Sequence, residues 1–306
     1  MSATADGGLQ QVVAGALPDA EVVRAWRLLG GISAETHALE VREAGGTRTL
    51  VVRRIGPGSL AFDPRAAEHE FAVRRAVFAA GVPTPEPLAW GDAPWPHLLL
   101  TYVEGAVEAR AAPLAAGVTQ LADRLARIHA LDPEPLGFLP PYAAQVEALL
   151  AARPAQLDAE LLEPELRGAF EAAWPLASRN PVRVLHGDFW PGNVLWREGA
   201  LASVLDWEDA ALGDPLGDLA VTRLDLLFVA GAEAMQAFTA RYAEQSPLDL
   251  TQLPQWDLFA ALRPVPHFAE WAAAMPTLGR EDLTLARMRE LHRWFALQAL
   301  EAHSST

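Results

Sequence analysis

Residues 186–196 read HGDFWPGNVLW, which puts Asp188 five positions ahead of Asn193 and then runs straight into apolar residues. A surface turn has a use for Pro191 and Gly192 because of their backbone angles. It has none for an acid and an amide at a fixed separation. Downstream, "NVLW" and "LASVLD" are two short apolar runs separated by "REGA", a pattern that predicts a tight hairpin turning at Glu198–Gly199. Such a fold-back is expected to bring Asn193 and Asp206 to the same end of two strands, with Asp188 on the loop that feeds the first.

Two carboxylates and an amide at one rim suit a hard cation. Magnesium is commonly held by one or two carboxylates together with substrate phosphates. A further carboxylate kept off the ion can orient a hydroxyl and accept its proton. Asp188 is the expected base, with Asn193 and Asp206 the expected ligands of Mg2+. Each residue alone has a structural use, Asp188 as a turn cap, Asn193 in a left-handed turn, Asp206 as a strand end. The set, in this order, is what points to phosphoryl transfer.

Working outward, "VVRAWRLL", "THALEV" and "TLVVRRI" read as a meander of three antiparallel strands, the last two joined by the turn "REAGGTR". "DPRAAEHEFAVRRAVFAAG" has helical character. "VPTPEPLAWGDAPWP" reads as a proline-punctuated connector, and "HLLLTYVEG" as a buried strand ending near Gly105. Beyond Gly105 the pattern is mostly helical. The expected architecture is α+β and two-lobed. A frayed N-terminus spans residues 1–20, a small antiparallel β-rich lobe 21–105, and a larger, mainly helical lobe 106–306.

"VLHGDFWPGNVLW" followed by "VLDWEDAALGDPLGDLA" resembles the aminoglycoside phosphotransferase and choline kinase-like family, which shares the protein-kinase-like fold. His-Gly-Asp stands where protein kinases have His-Arg-Asp, and Asp-Trp-Glu where they have Asp-Phe-Gly. The resemblance implies transfer of a γ-phosphate from ATP or GTP, with Mg2+, to a hydroxyl of a small acceptor such as an aminoglycoside, an amino alcohol or a sugar. It implies a phosphate-covering loop around Gly30, Gly31 and Ser33, although G-x-G-x-x-G is absent. Protein kinases place a lysine on the third strand, and this chain contains no lysine. Arg53 takes that position in the comparison, and an arginine is not equivalent to a lysine there. Its neighbour Arg54 is expected to face the other way, with a one-residue register slip exchanging the two. Glu70 is the expected acidic partner of Arg53, with Glu68 as the alternative. Backbone groups from Thr101 to Val103 are expected to meet the nucleotide base. His186 is expected to act as a scaffold, Asp218 to brace the loop holding Asp188, and His129 to be a core histidine. Trp190, Trp256, Asp257 and Trp271 are the candidate acceptor contacts by resemblance, with core packing the competing role for each tryptophan.

The bulk numbers set limits. The formal net charge of −15 over 306 residues disfavours nucleic acid or an anionic membrane as a partner and suits a cationic acceptor. There is no cysteine, which excludes disulfides, thiol catalysis and thiolate metal sites and fits a cytoplasmic protein. Neither a signal peptide nor a membrane-spanning apolar run is apparent. Two other functions are compatible with the acidic rim: a nucleotide-binding module without transferase activity, and a metal-dependent phosphohydrolase.

Overall fold

The computed structural model describes residues 7–28 and 34–305. Gly30, Gly31 and Ser33, the expected phosphate loop, lie outside the described residues. The chain divides into two compact units, one running to Glu104 and including Ser203–Glu208, the other comprising Gly105–Ala202 and the chain from Asp209 onward.

The first unit contains helix α1 (Gly7–Ala16), strands β1 (Glu21–Arg27), β2 (Ala34–Glu43) and β3 (Gly46–Ile55), helices α2 (Pro57–Phe62) and α3 (Ala66–Ala79), and strands β4 (Pro87–Gly91) and β5 (His97–Thr101). The strands form one antiparallel sheet in the order β1-β2-β3-β5-β4. Alternation along β3 decides what each face carries. Leu50 and Val52 point into a core shared with Leu9, Val12 and Val13 of α1, whereas Val51 and Ile55 pack with Ala67 of α3. Arg53 lies between Val51 and Ile55 and so shares their face, while Arg54 is left half-exposed over the Trp95 ring.

Two expectations are corrected here. The opening segment is not frayed throughout: Leu9, Val12 and Val13, spaced i, i+3, i+4, are buried on one side of α1. The proline-punctuated connector contains the edge strand β4, paired with β5. The inner stripe of α3 is Ala67, Glu70, Val73, Arg74 and Val77, so two charged residues sit on its buried side, while Phe78 faces solvent.

The second unit begins with strand β6 (Ala106–Val107) and helices α4 (Ala111–His129), α5 (Tyr142–Ala151) and α6 (Glu163–Ala173). Strands β7 (Arg183–Leu185), β8 (Val194–Arg197), β9 (Ala200–Val204, whose last two residues belong to the first unit) and β10 (Ala211–Gly213) follow. It ends in helices α7 (Leu216–Ala230), α8 (Ala232–Gln245), α9 (Leu253–Leu262), α10 (Phe268–Ala274) and α11 (Leu285–Ser304). α4 packs on α7 and α8, and α9 packs on α6, α7 and α11. The β8–β9 connection turns at Glu198 and Gly199, both with positive φ (53° and 79°), the backbone pattern of a type I′ hairpin. No described helix is long and apolar enough to cross a membrane.

Candidate active site

In the first unit the chemistry gathers around Arg53. Its Nε lies 3.0 Å from Glu70, and one Nη is shared by Asp206 at 3.1 Å and Glu208 at 2.8 Å. Glu70 also accepts from Nε of Arg74 at 2.9 Å. Arg53, Glu70 and Arg74 are 7%, 6% and 2% exposed, so this is a buried Arg–Glu–Arg triad. Burial alone would raise the Glu70 carboxyl; the two guanidiniums outweigh it and hold the group below its usual range. Arg53 is held firmly charged: burial opposes its charge, and Glu70, Asp206 and Glu208 overcome that opposition. The competing acid, Glu68, is engaged at the surface by Arg65.

Asp206 and Glu208 reach Arg53 because Trp207 between them is an anchor. Its side chain is 1% exposed, and its indole N–H donates to Thr84 Oγ1 at 3.2 Å. The Val204 amide adds a bond to the Pro83 carbonyl at 2.7 Å. Asp206 itself holds a left-handed backbone, φ 55°, a conformation that costs a non-glycine residue about 1–2 kcal/mol. Strain of this kind persists only where the surroundings impose it.

In the second unit the HGD stretch is held by α7. β7 pairs with β10, and β10 leads into α7, which sets residues 186 and 187 over the first turn of that helix. The Asp218 carboxylate accepts the backbone N–H of His186 at 2.6 Å and of Gly187 at 2.9 Å, and His129 Nε2 lies 3.2 Å from it. Burial would push Asp218 up; His129 and the His186 amide outweigh it and hold the carboxyl down. One turn along, the Thr222 hydroxyl donates to the Phe189 carbonyl at 2.7 Å. Gly187 has φ +82°, and a Cβ there would stand 2.1 Å from the Asp209 carbonyl oxygen. A bulkier residue cannot occupy the middle of this triplet without moving the backbone.

Asp188 follows, about a quarter exposed. Asn193 Nδ2 donates to its backbone carbonyl at 3.0 Å and to its Oδ2 at 2.9 Å, while Arg263 at the end of α9 donates to its Oδ1 at 2.6 Å. With both acceptors of the Asn193 amide nitrogen supplied by Asp188, the amide oxygen is the atom left to meet a cation. Asp206 likewise keeps Oδ2 without a hydrogen-bond partner among the described residues, its Oδ1 being on Arg53. Among the described residues no group of three or more His, Cys, Asp or Glu is arranged as a metal site. Each unit thus presents one hard oxygen donor, Asp206 Oδ2 in the first and the Asn193 amide oxygen in the second, the kind of ligand magnesium takes.

The family follows from the sequence together with this geometry. Residues 26–253 match the model of the phosphotransferase enzyme family. The chain belongs to that family. Acyl-CoA dehydrogenase family member 11 of Rattus norvegicus is 27% identical over 256 residues, 71% of this chain and 32% of that protein. This phosphotransferase-family chain therefore spans about a third of the length of the first curated relatives it matches. Homoserine kinase of Rhodospirillum rubrum is 30% identical over 190 residues, 56% of this chain and 55% of that protein. Among solved structures, the GDP and kanamycin complex of APH(2″)-IIIa superposes with a TM-score of 0.65 at 19% identity, covering 95% of this chain and 98% of that one. The fold is the two-part protein-kinase-like fold of these phosphotransferases.

Several expected contacts of this family member stand elsewhere. Trp256 is buried, packed against Tyr142, Trp174 and Phe259, the core-packing role that competes with acceptor contact. Asp257 is occupied by Arg223, which grips both its oxygens at 3.0 Å. Trp190 folds back over Gly192, where an added Cβ would sit 2.0 Å from its ring. Trp271 is half-buried on α10. The Thr101 amide donates to the Glu86 carbonyl at 3.0 Å, so this N–H closes the sheet and is not available to a base. Val103 lies in the coil after β5. The four-residue spacing of Glu70 and Arg74 suggests a surface ion pair; the pair forms but is buried. Glu208, which the sequence leaves either supporting Asp206 or solvated, is on Arg53. Sequence reasoning missed Arg263, which no local pattern ties to Asp188.

Proposed function

We propose that this protein is a magnesium- and nucleotide-dependent kinase that moves the γ-phosphoryl of ATP or GTP to a hydroxyl of a small acceptor. The observation that carries the reading is the clamp on Asp188. Asp218 fixes the two amides before it, Asn193 fixes its carbonyl and one carboxylate oxygen, and Arg263 fixes the other. A carboxylate oriented from three sides can hold an alcohol in line and take its proton. Asp188 contributes alignment, because both its carboxylate oxygens and its carbonyl are held in place.

Asn193 and Asp206 are the residues that would hold Mg2+, which would supply neutralisation of the phosphate charge. Arg53, kept charged and pointed by Glu70, is suited to a non-transferring phosphate. Its fork makes directional bonds that a lysine would not. The relative crystallised with GDP and kanamycin supports a purine nucleotide and a small polyhydroxylated acceptor as the first compounds to try; the homoserine kinase similarity adds hydroxy amino acids.

The test is phosphate transfer from radiolabelled ATP and GTP to a panel of aminoglycosides, amino alcohols, sugars and hydroxy acids. Asp188→Asn and Asp206→Ala serve as controls. Transfer to at least one alcohol, lost in both variants, is expected. Unimpaired transfer in Asp206→Ala sinks the metal assignment. Nucleotide binding with no phosphorylated product from any acceptor favours a binding module instead.

A further inference from the structure

In the kinase reading Arg53 is the cation of the first unit that meets phosphate, yet its fork is already filled. Nε lies 3.0 Å from Glu70, and Nη2 donates to two carboxylates at once, to Asp206 at 3.1 Å and to Glu208 at 2.8 Å. A guanidinium offers a bidentate anion two edges, Nε with Nη2 and Nη1 with Nη2. Both include Nη2. With the N–H groups of that atom spent on Asp206 and Glu208, an oxyanion gains the fork only by displacing one of them.

The three acids around Arg53 are not alike. The Glu70 side chain is 5% exposed and is shared with Arg74, so it is a fixed part of the unit. Asp206 and Glu208 are 29% and 23% exposed, open enough to be exchanged from solution. Of these two, Glu208 makes the shorter bond, and it stands where protein kinases have the glycine of Asp-Phe-Gly. Trp207 places it there, through a buried indole tied to Thr84. The charge balance works in the same direction. Glu70, Asp206 and Glu208 face Arg53 and Arg74, three negative groups against two positive ones. Like charge at this range opposes the approach of a metal-free polyphosphate.

We propose that Glu208 locks Arg53 against metal-free nucleotide: its carboxylate holds Nη2 until a divalent cation supplies the compensating charge. The first unit then accepts the metal complex of a nucleoside triphosphate and turns away the bare anion. The proposal rests on the kinase reading above and adds an order to it, metal before phosphate contact. Glu208 acts through Arg53 as a positioning residue, and its effect is on binding. A role as a ligand of the ion and nothing more has a different signature, because it leaves the affinity for metal-free nucleotide untouched.

The experiment is calorimetric titration of the full chain with ATP and with GTP, once in excess Mg2+ and once in a chelator. Wild type is expected to bind at least one of them with Mg2+, and about tenfold or more weakly without it. Glu208→Gln keeps the size and removes the charge at a partly exposed position; metal-free binding should tighten by about tenfold to a hundredfold. Glu208→Asp, which keeps the charge, should gain less. Arg53→Met tests whether the effect passes through the guanidinium. Glu70 keeps Arg74 in that background, and Asp206 and Glu208 can turn to solvent, so the chain is expected to fold. There Glu208→Gln should change metal-free affinity by no more than about twofold. An unchanged metal-free affinity in Glu208→Gln overturns the proposal, whatever happens to the metal complex. An equal gain in the Arg53→Met background overturns it too, since general repulsion then explains the effect. Wild type that binds neither nucleotide with Mg2+ rejects the kinase reading and the lock with it. If a nucleotide binds with Mg2+ but no alcohol is phosphorylated, transfer fails alone and the Glu208→Gln titration still decides the lock.

Discussion

Removal of the Glu70 charge is the sharpest probe of the first unit. In Glu70→Ala two buried guanidiniums lose their shared carboxylate. Arg53 retains Asp206 and Glu208, whereas Arg74 has no other ion pair among the described residues. The cost therefore falls mainly on Arg74, which is 2% exposed. Breaking a buried pair by deleting one partner costs about 3–5 kcal/mol, because the surviving charge is stranded. Against a typical total of about 5–15 kcal/mol, that is a large share. Urea unfolding followed by tryptophan fluorescence and far-ultraviolet dichroism reads this as a lowered midpoint. A second variant separates fold from function. Glu70→Leu with Arg74→Met replaces the pair by apolar groups of similar volume and is expected to recover stability to within about 1 kcal/mol. Arg53 has still lost the acid on its Nε, so the nucleotide KM stays raised, about tenfold or more for a charge-assisted bond that no longer points the fork. A loss below about 1 kcal/mol in Glu70→Ala refutes the energetic argument. A double variant with wild-type nucleotide KM refutes the claim that Glu70 orients Arg53.

Further outcomes are expected elsewhere. Asp218→Ala strips the acceptor from two buried amides; turnover should fall by at least a hundredfold with nucleotide affinity little changed, which separate kcat and KM determinations resolve. Gly187→Ala forces a Cβ to within 2.1 Å of the Asp209 carbonyl oxygen at a left-handed φ, and should lose more than about 2 kcal/mol in denaturant titration; a neutral result contradicts the loop geometry. Burial pushes the Asp225 carboxyl up to about 8, with Arg263 only partly opposing it. The native state then binds a proton that the unfolded chain has released, so stability is greatest in acid and falls as pH rises from about 4 towards 8. Partial accessibility of the side chain reduces the effect to on the order of 3 kcal/mol. Asp225→Asn should flatten that slope in unfolding curves taken across the range, and an unchanged slope counts against it.

The parts of the fold that were legible in the sequence are those decided locally. Glu198–Gly199 could be read as a hairpin turn because Gly199 takes positive φ without steric cost between two short apolar runs, and the turn has that geometry. Arg53 and Arg54 could be told apart once alternation along "TLVVRRI" was tied to a face, and the face was settled by which valines α3 covers. α1 was hidden by the glycines at its start, although Leu9, Val12 and Val13 carry helical spacing. β4 was hidden by the prolines around it. Two of the candidate acceptor residues are engaged by distant parts of the chain. Trp256 is buried by Tyr142 and Trp174, which lie roughly a hundred positions earlier in the chain, and Asp257 is neutralised by Arg223 of another helix. Arg263 reaches Asp188 across 75 positions. No local pattern encodes such meetings; they exist only once α7 and α9 are packed.

The guanidinium at position 53 also has a practical consequence. Reagents that tag kinases by acylating an ε-amine near the phosphates have no target here, since the chain has no lysine. A guanidinium stays protonated at any usable pH and is a poor nucleophile towards such esters. In a survey of a cell extract that relies on that labelling, this protein would pass unseen even while fully active. A dicarbonyl reagent selective for arginine, with protection by bound nucleotide, is the labelling chemistry its β3 strand calls for.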